Sequence, residues 1–164
     1  PMVELRKLDR GDAALYQEIR LEALEGHLES FGARLEDESS KALDEVGQRL
    51  DRSAVFGVFD GDVLAGVAGW YAMPGAKQAH RGALWGMYVR PGHRHRGIGK
   101  MLVDQVIDDA TGTVEQMHLS VVVGNTAAMG LYKSTGFTSY GVEPHAAKIG
   151  DTYVDEVLMV RPLP

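Results

Sequence analysis

The sequence predicts an α/β (α+β) fold in which a mixed, mostly antiparallel central sheet of about seven strands packs with about four helices. Three observations carry that expectation. Asp60-Gly61, between the apolar runs 54–60 and 63–71, is a strong hairpin signal, so two antiparallel strands meet there. A segment with helical spacing, residues 99–110, joins the apolar runs 84–89 and 117–123, and a helical crossover between strands makes them a parallel pair. Residues 137–145 and 152–160 then fold back on each other around 148–151 as a terminal antiparallel pair.

Taken in order, Val3, Leu5 and Leu8 mark a first strand that ends at Asp9-Arg10-Gly11-Asp12. Asp12 reads as the N-cap of a helix whose apolar face is Leu15, Tyr16, Ile19, Ala23 and Leu24, and which runs to Gly26. A loop or broken helix follows over 26–38. Ser39 or Ser40 then caps a second helix to about Leu50, with Leu43, Val46 and Leu50 on one side. After the hairpin, Met73-Pro74-Gly75-Ala76 is a turn into the strand 84–89, and Arg90-Pro91-Gly92 leads to helix 99–110, where Leu102, Val103, Val106 and Ile107 face a core. Residues 117–123 are a nearly continuous apolar, β-branched run, which predicts a central strand covered on both faces. Residues 126–134 form a short helix that ends before Gly136.

The chain has 164 residues, 45% of them hydrophobic, enough for one domain with a real core, read here as residues 2–164 with Pro1 foreign and Met2 the natural start. It contains no cysteine, which excludes disulfides, thiolate-bound zinc and a thiol nucleophile. The N-terminus lacks the pattern of a secretory signal and no segment reaches the ~20 apolar residues of a membrane span, so a cytoplasmic protein is expected. A net charge of −6 argues against a general nucleic-acid binder. Charge is also uneven. Eight carboxylates lie in 22–45 against Arg34 and Lys41, whereas Arg90, Arg94, Arg96 and Lys100 cluster with His93 and His95. The acidic stretch reads either as a solvated face or as an attractor for a cationic substrate.

Two motifs carry chemistry. Arg94-His95-Arg96-Gly97-Ile98-Gly99-Lys100 lies between a strand and a helix, where glycines let the backbone approach a ligand and the helix presents unpaired N–H groups, the makings of an anion cradle. Asn125-Thr126-Ala127-Ala128-Met129-Gly130-Leu131-Tyr132-Lys133-Ser134-Thr135-Gly136-Phe137 follows the apolar strand; small residues here permit close approach of something bulky, Asn125 caps the helix or bonds a ligand, and Tyr132 by itself reads as a core aromatic with its hydroxyl satisfied. Other phosphate motifs fail: Met101 follows Gly99-Lys100 where a Walker loop needs Ser or Thr, Arg94 stands at its first glycine, and no Gly-x-Gly-x-x-Gly follows an early strand. The histidines at 27, 80, 93, 95, 118 and 145 show no metal-ligand spacing, so no metal is expected.

Over nearly its whole length the chain resembles the GNAT (Gcn5-related N-acetyltransferase) superfamily. Arg94-x-x-Gly97-x-Gly99 matches its pyrophosphate loop, and Asn125-x-x-Ala128-x-x-Leu131-Tyr132-x-x-x-Gly136-Phe137 its second acetyl-CoA motif. The Ala23-Leu24 and Phe31-Gly32 pairs and the closing residues 153–159 look like a bacterial subgroup. The resemblance implies acetyl-CoA as cosubstrate and transfer of the acetyl group to a primary amine of a small molecule or peptide. It implies that backbone amides of Met87, Tyr88 and Val89 hold the pantetheine arm, that Arg94, His95, Arg96, Gly97, Ile98, Gly99 and Lys100 hold the pyrophosphate, and that Asn125 and Ala128 contact the cofactor, with Tyr132 as general acid.

The base departs from the family's patterns. The glutamate of histone-type relatives aligns with Ala83, and that of the subgroup acting on ribosomal-protein N-termini aligns with Ser120. His118, on the same face as Ser120, is a candidate base, as are Glu29 and Glu156, and a water-mediated base stays open. With no cysteine to carry an acyl group, transfer is expected to be direct. Acceptor specificity is expected in loops 26–38, 71–82 and 141–151, and the terminal hairpin resembles segments that pair in dimeric relatives, which implies a homodimer. The competing reading is a noncatalytic CoA-binding or sensor domain on the same fold.

Overall fold

Alternating strands and apolar-faced helices assemble, among the described residues, into one seven-stranded sheet. The structure, a computed structural model, describes residues 3–26 and 42–164. In chain order the elements are β1 (Val3–Lys7), α1 (Ala13–Gly26), α2 (Leu43–Arg52), β2 (Ala54–Asp60), β3 (Val63–Ala72), β4 (Arg81–Val89), α3 (Ile98–Ala110), β5 (Gln116–Val122), α4 (Thr126–Ser134), β6 (Thr138–Ile149) and β7 (Thr152–Pro162). The strand order is β1-β2-β3-β4-β5-β7-β6, antiparallel everywhere except between β4 and β5.

Each face of the sheet has its own core. On one, Ile98, Leu102, Val103, Val106 and Ile107 of α3 are buried against β2–β5 with Met117, Leu119 and Met159. Trp70 joins this side and donates from Nε1 to Asp109 at 2.8 Å. On the other, Tyr16, Ile19 and Ala23 of α1 and Val46 and Leu50 of α2 close over Val55, Leu64, Val67 and Tyr88. Full burial of such side chains stabilises by about 1.5–3 kcal/mol each.

Several local expectations shift. Asp9, not Asp12, is the capping residue: its side chain accepts from Gly11 N–H at 2.9 Å and opens a short 3-10 turn, Arg10–Asp12, ahead of α1. Asp12 closes the capping box and takes two hydrogen bonds from the Arg6 guanidinium, each 2.8 Å. Helix α2 starts at Leu43 after Ala42 without a side-chain cap, while Ser39 and Ser40 lie outside the described residues. Leu43, expected on the apolar face, is 47% exposed. Strand β5 is not covered on both faces by the described residues: Met117, Leu119 and Val121 are buried, His118 is half-buried and Ser120 exposed. A β-branched run therefore obeys the ordinary two-residue alternation of a strand with one packed face.

The Arg6 bonds hold the Asp12 carboxyl below its ordinary value against the opposing effect of burial. A depressed carboxylate stabilises the fold above its unfolded pKa and loses that contribution as pH falls through the folded value. Urea unfolding should therefore show stability declining below about pH 4. Asp12→Asn should cost about 1–2 kcal/mol at pH 7 and flatten this acid limb; an unchanged pH dependence would remove Asp12 from the account.

Candidate active site

The β4–β5 pair is short. Its parallel rungs are Arg81 with Gln116, Gly82 with Met117 and Ala83 with His118, and beyond Ala83 the two strands part. These rungs precede the expected overlap of 84–89 with 117–123, because a bulge bends β4 away. Gly69 pairs with Trp85 and Val67 with Tyr88, so Gly86 and Met87 together oppose Ala68. Gly86 has φ +67, a left-handed backbone that a bulge of this kind gives to glycine.

The gap forms a cleft of about 820 Å³, walled by residues 87–89 of β4 on one side, 122–125 after β5 on the other, and closed by residues 97–100 and the small face of α4. Arg90 N–H bonds to Ala65 C=O at 2.8 Å, which fixes the antiparallel alternation: the main chain of Tyr88 faces β3 and that of Val89 faces the gap. Val89 C=O there accepts from Arg94 Nε at 3.0 Å. The Tyr88 main chain is thus turned to β3, while its side chain packs in the core under α1 and its hydroxyl donates to Glu22 at 2.9 Å. Burial and Glu22 together raise the Tyr88 phenol above its ordinary value.

In the loop itself Arg94 N–H bonds to Pro91 C=O at 3.4 Å and Met101 N–H to Gly97 C=O at 3.0 Å; between them, among the described residues, the N–H groups of 95–100 donate to no backbone carbonyl. Gly97 stands at φ +78 and turns this run of amides into the N-terminus of α3, a concentration of donors and helix-dipole charge suited to an anion. Asn125 accepts from Ala128 N–H at 3.2 Å and caps α4, while both residues line the cleft.

Of the residues singled out in the sequence, Met87, Tyr88, Val89, Arg94, His95, Gly97, Ile98, Gly99, Lys100, Asn125 and Ala128 come together around this cleft. Arg96 does not line it; its guanidinium turns back to Asp60 at 3.6 Å. Tyr132 is 7% exposed and sits one turn beyond Ala128, its ring edge-on to Phe137 with centroids 5.9 Å apart, and burial holds its phenol protonated far above the ordinary value. His93, Val123, Ala127 and Leu131 line the cleft without having been assigned to it. The helical step from Ala127 to Leu131 was the readable sign for two of them.

His118 lies on the last paired rung, where the strands begin to part, on the face away from α3. Its Nε2 lies close to Gln116 Oε1 and accepts from Arg81 Nε–H at 3.3 Å, and its Nδ1 is 3.3 Å from the Tyr140 hydroxyl. Burial, then Arg81 and His80, push this imidazole below its ordinary value, so it is neutral at pH 7. Glu156, half-buried on β7, pairs in register with Val122 at the cleft wall. Glu29 lies outside the described residues, as does much of the acidic stretch. Within the described part, Glu22 is bonded to Arg90 as well as Tyr88, and Arg90 reaches Glu18 at 3.5 Å. Among the described residues no group of three or more His, Asp or Glu could hold a metal ion.

Residues 13–137 match the model of the Acetyltransferase (GNAT) family, and the chain belongs to that family. It is 31% identical over 81 residues to a [ribosomal protein bS18]-alanine N-acetyltransferase of Salmonella typhimurium, covering 49% of this chain and 55% of that protein. It is 41% identical over 54 residues to the N-alpha-acetyltransferase RimI of Mycobacterium tuberculosis, covering 33% of each. The chain thus spans about half the length, or less, of these curated relatives. In fold it is similar to an acetyltransferase of the GNAT family from Streptococcus pneumoniae, with TM-score 0.87 and 22% identity over 99% of this chain and 100% of that one. It is equally similar to yncA from Salmonella typhimurium, solved with its cofactor acetyl-CoA, with TM-score 0.87 and 20% identity over 100% and 95% of the two chains.

A left-handed residue with a side chain is strained, so Gly97→Ala should destabilise by about 1 kcal/mol and lower the thermal midpoint by about 2–4 °C. Gly92→Ala, on an exposed backbone without positive φ and with open space at its Cβ, should leave the midpoint unchanged. Equal midpoints for the two variants would contradict the geometry of the loop.

Proposed function

We propose that the protein is an acetyl-CoA-dependent N-acetyltransferase that moves the acetyl group directly to a primary amine of a small molecule or peptide. One observation carries this reading: the run of N–H groups at 95–100, which among the described residues donate to no backbone carbonyl, adjoins the strand edge at Val89 that no neighbouring strand pairs, within one cleft. A diphosphate fits the first and the amides of a pantetheine arm fit the second. Acetyl-CoA, when bound, supplies an activated acetyl thioester.

The residues then divide the work. Loop 94–100 neutralises the pyrophosphate mostly through backbone donors, and Val89, beside the Met87 bulge, pairs with the arm. Asn125 and Ala128 shape the opposite wall. Tyr132, kept protonated by burial, is the group with a proton for the departing thiolate. His118, Glu156 and Glu29 remain the groups proposed to accept a proton from the amine, and neutral His118 is ready for that task. The acceptor is read as cationic from the carboxylates of 22–45, of which Glu25 is an exposed member at the end of α1. A cytoplasmic setting and a homodimer built on the terminal hairpin complete the proposal; no helix among the described residues is long and apolar enough to cross a membrane.

The test is titration calorimetry with acetyl-CoA, followed by thiol release with a panel of amines: an alanine-initiated peptide, lysine, spermidine and aniline. Binding with release in the presence of an amine is the expected result. Binding without release across the panel would favour the sensor reading, and no binding would sink both. Tyr132→Phe should lower kcat about 10- to 100-fold while leaving acetyl-CoA affinity within twofold; unchanged turnover would remove Tyr132 from the acid role.

A further inference from the structure

The proton acceptor for the amine is still divided among candidates, and the geometry around His118 narrows the choice. His118 pairs in register with Ala83 on the last rung before β4 and β5 part, so it flanks the point where the cleft closes to an apex. From Val122 at the cleft wall to His118 is four residues, about 13 Å of strand, on the face opposite α3. Among the described residues that face carries half-buried His118 and exposed Ser120.

Imidazole and phenol are linked there. Nε2 lies against both Gln116 Oε1 and the Arg81 Nε–H, and in the tautomer that donates to Gln116 Oε1 the other ring nitrogen, Nδ1, is an acceptor. The Tyr140 hydroxyl stands 3.3 Å from Nδ1, with the two rings edge-on at 5.8 Å and 88°. Tyr140 belongs to β6, two strands from β5, and its side chain crosses β7 to make this contact. It is 54% exposed, so the phenol that covers Nδ1 is itself open to solvent and to a ligand. The other groups bearing on the imidazole are Arg81 at the start of β4, His80 before it and Gln116 on β5; Glu156 lies four residues along β7 from Val160, the register partner of His118.

We propose that Tyr140 and His118 form the relay that takes the proton from the acceptor. It rests on the acetyltransferase reading above. An N–H bond of the acceptor ammonium breaks as an O–H bond forms at Tyr140, while the original Tyr140 O–H bond breaks and an N–H bond forms at His118 Nδ1. The positive charge passes from ammonium to imidazolium, where Gln116 Oε1 remains hydrogen-bonded to Nε2–H, and the freed amine lone pair attacks the thioester carbonyl. Tyr140 is the group that touches substrate; His118 acts through it. Arg81 and His80 oppose the charged imidazole and so favour return of the proton to solvent after each turnover.

The test compares Tyr140→Phe, His118→Gln and the double variant, using whichever of the alanine-initiated peptide, lysine and spermidine turns over fastest, with aniline as an acceptor already uncharged at neutral pH. Tyr140→Phe should lower kcat for the ammonium-bearing acceptor about 10- to 100-fold at unchanged KM for acetyl-CoA. Its pH–rate profile should shift so that the rate rises with the amine's own ionisation. His118→Gln should show the same loss, the double variant no more than either single one, and aniline should be acetylated at the wild-type rate by all three. Wild-type kcat and pH profile in Tyr140→Phe, additive losses, an equal loss with aniline, or a wild-type protein that acetylates aniline and none of the ammonium-bearing acceptors would each overturn the relay while leaving the acetyltransferase reading intact. Failure of the wild-type protein to release thiol with any amine would overturn both.

Discussion

Everything at the site depends on the parting of β4 from β5 after a single set of three rungs. Two parallel strands that stayed paired would satisfy each other's backbone and leave no edge for a ligand. The bulge at Gly86-Met87 prevents this by inserting one residue into β4 and bending it toward β3. Val89 and its neighbours then face a gap rather than a partner strand, and the sheet carries an unfilled position at its centre rather than at its rim. Burial on both sides protects that opening: α3 seals one face with Ile98 and Leu102, and α1 supports the other through Tyr88.

Charge is used for assembly as much as for attraction. Arg90, just past β4, bonds to Leu64 C=O at 2.7 Å and reaches Glu18 and Glu22 on α1, and Glu22 also holds the Tyr88 hydroxyl. Two carboxylates from the acidic part of the chain therefore fasten the helix to the cleft wall. Asp60 plays a similar part at the hairpin tip, 3.1 Å from His93 Nε2 and 3.6 Å from Arg96. A basic cluster that looks like a ligand site in the sequence is thus partly committed to fixing the loop.

The sequence carried the fold well, because it is written in short-range patterns. Hairpin chemistry at Asp60-Gly61, helical spacing from Leu102 to Ile107 and the two glycine-bearing motifs are each local, and each was where expected. What the sequence did not reveal is relational. The β5 run 117–123 looked buried on both sides because apolarity alone does not report what packs above a strand. Arg96 shares a motif with cleft residues but turns toward Asp60, since direction in a loop is set by a partner 36 positions away. Tyr140 drew no notice: its relation to His118 exists only through the β5-β7-β6 strand order.

The cleft is drawn entirely from one uninterrupted stretch, from Met87 to Leu131, comprising the end of β4, α3, β5 and α4. The rest of the sheet, by contrast, takes β6 and β7 from the C-terminal end, and α1 from the N-terminal end packs on its other face. Sequence-local contacts form with little loop-closure cost. The crossover unit can therefore assemble early and act as a seed on which the distant segments condense. The same arrangement separates two heritable modules: substitutions in the flanking segments can redirect one side of the molecule without rewriting the stretch that shapes the other.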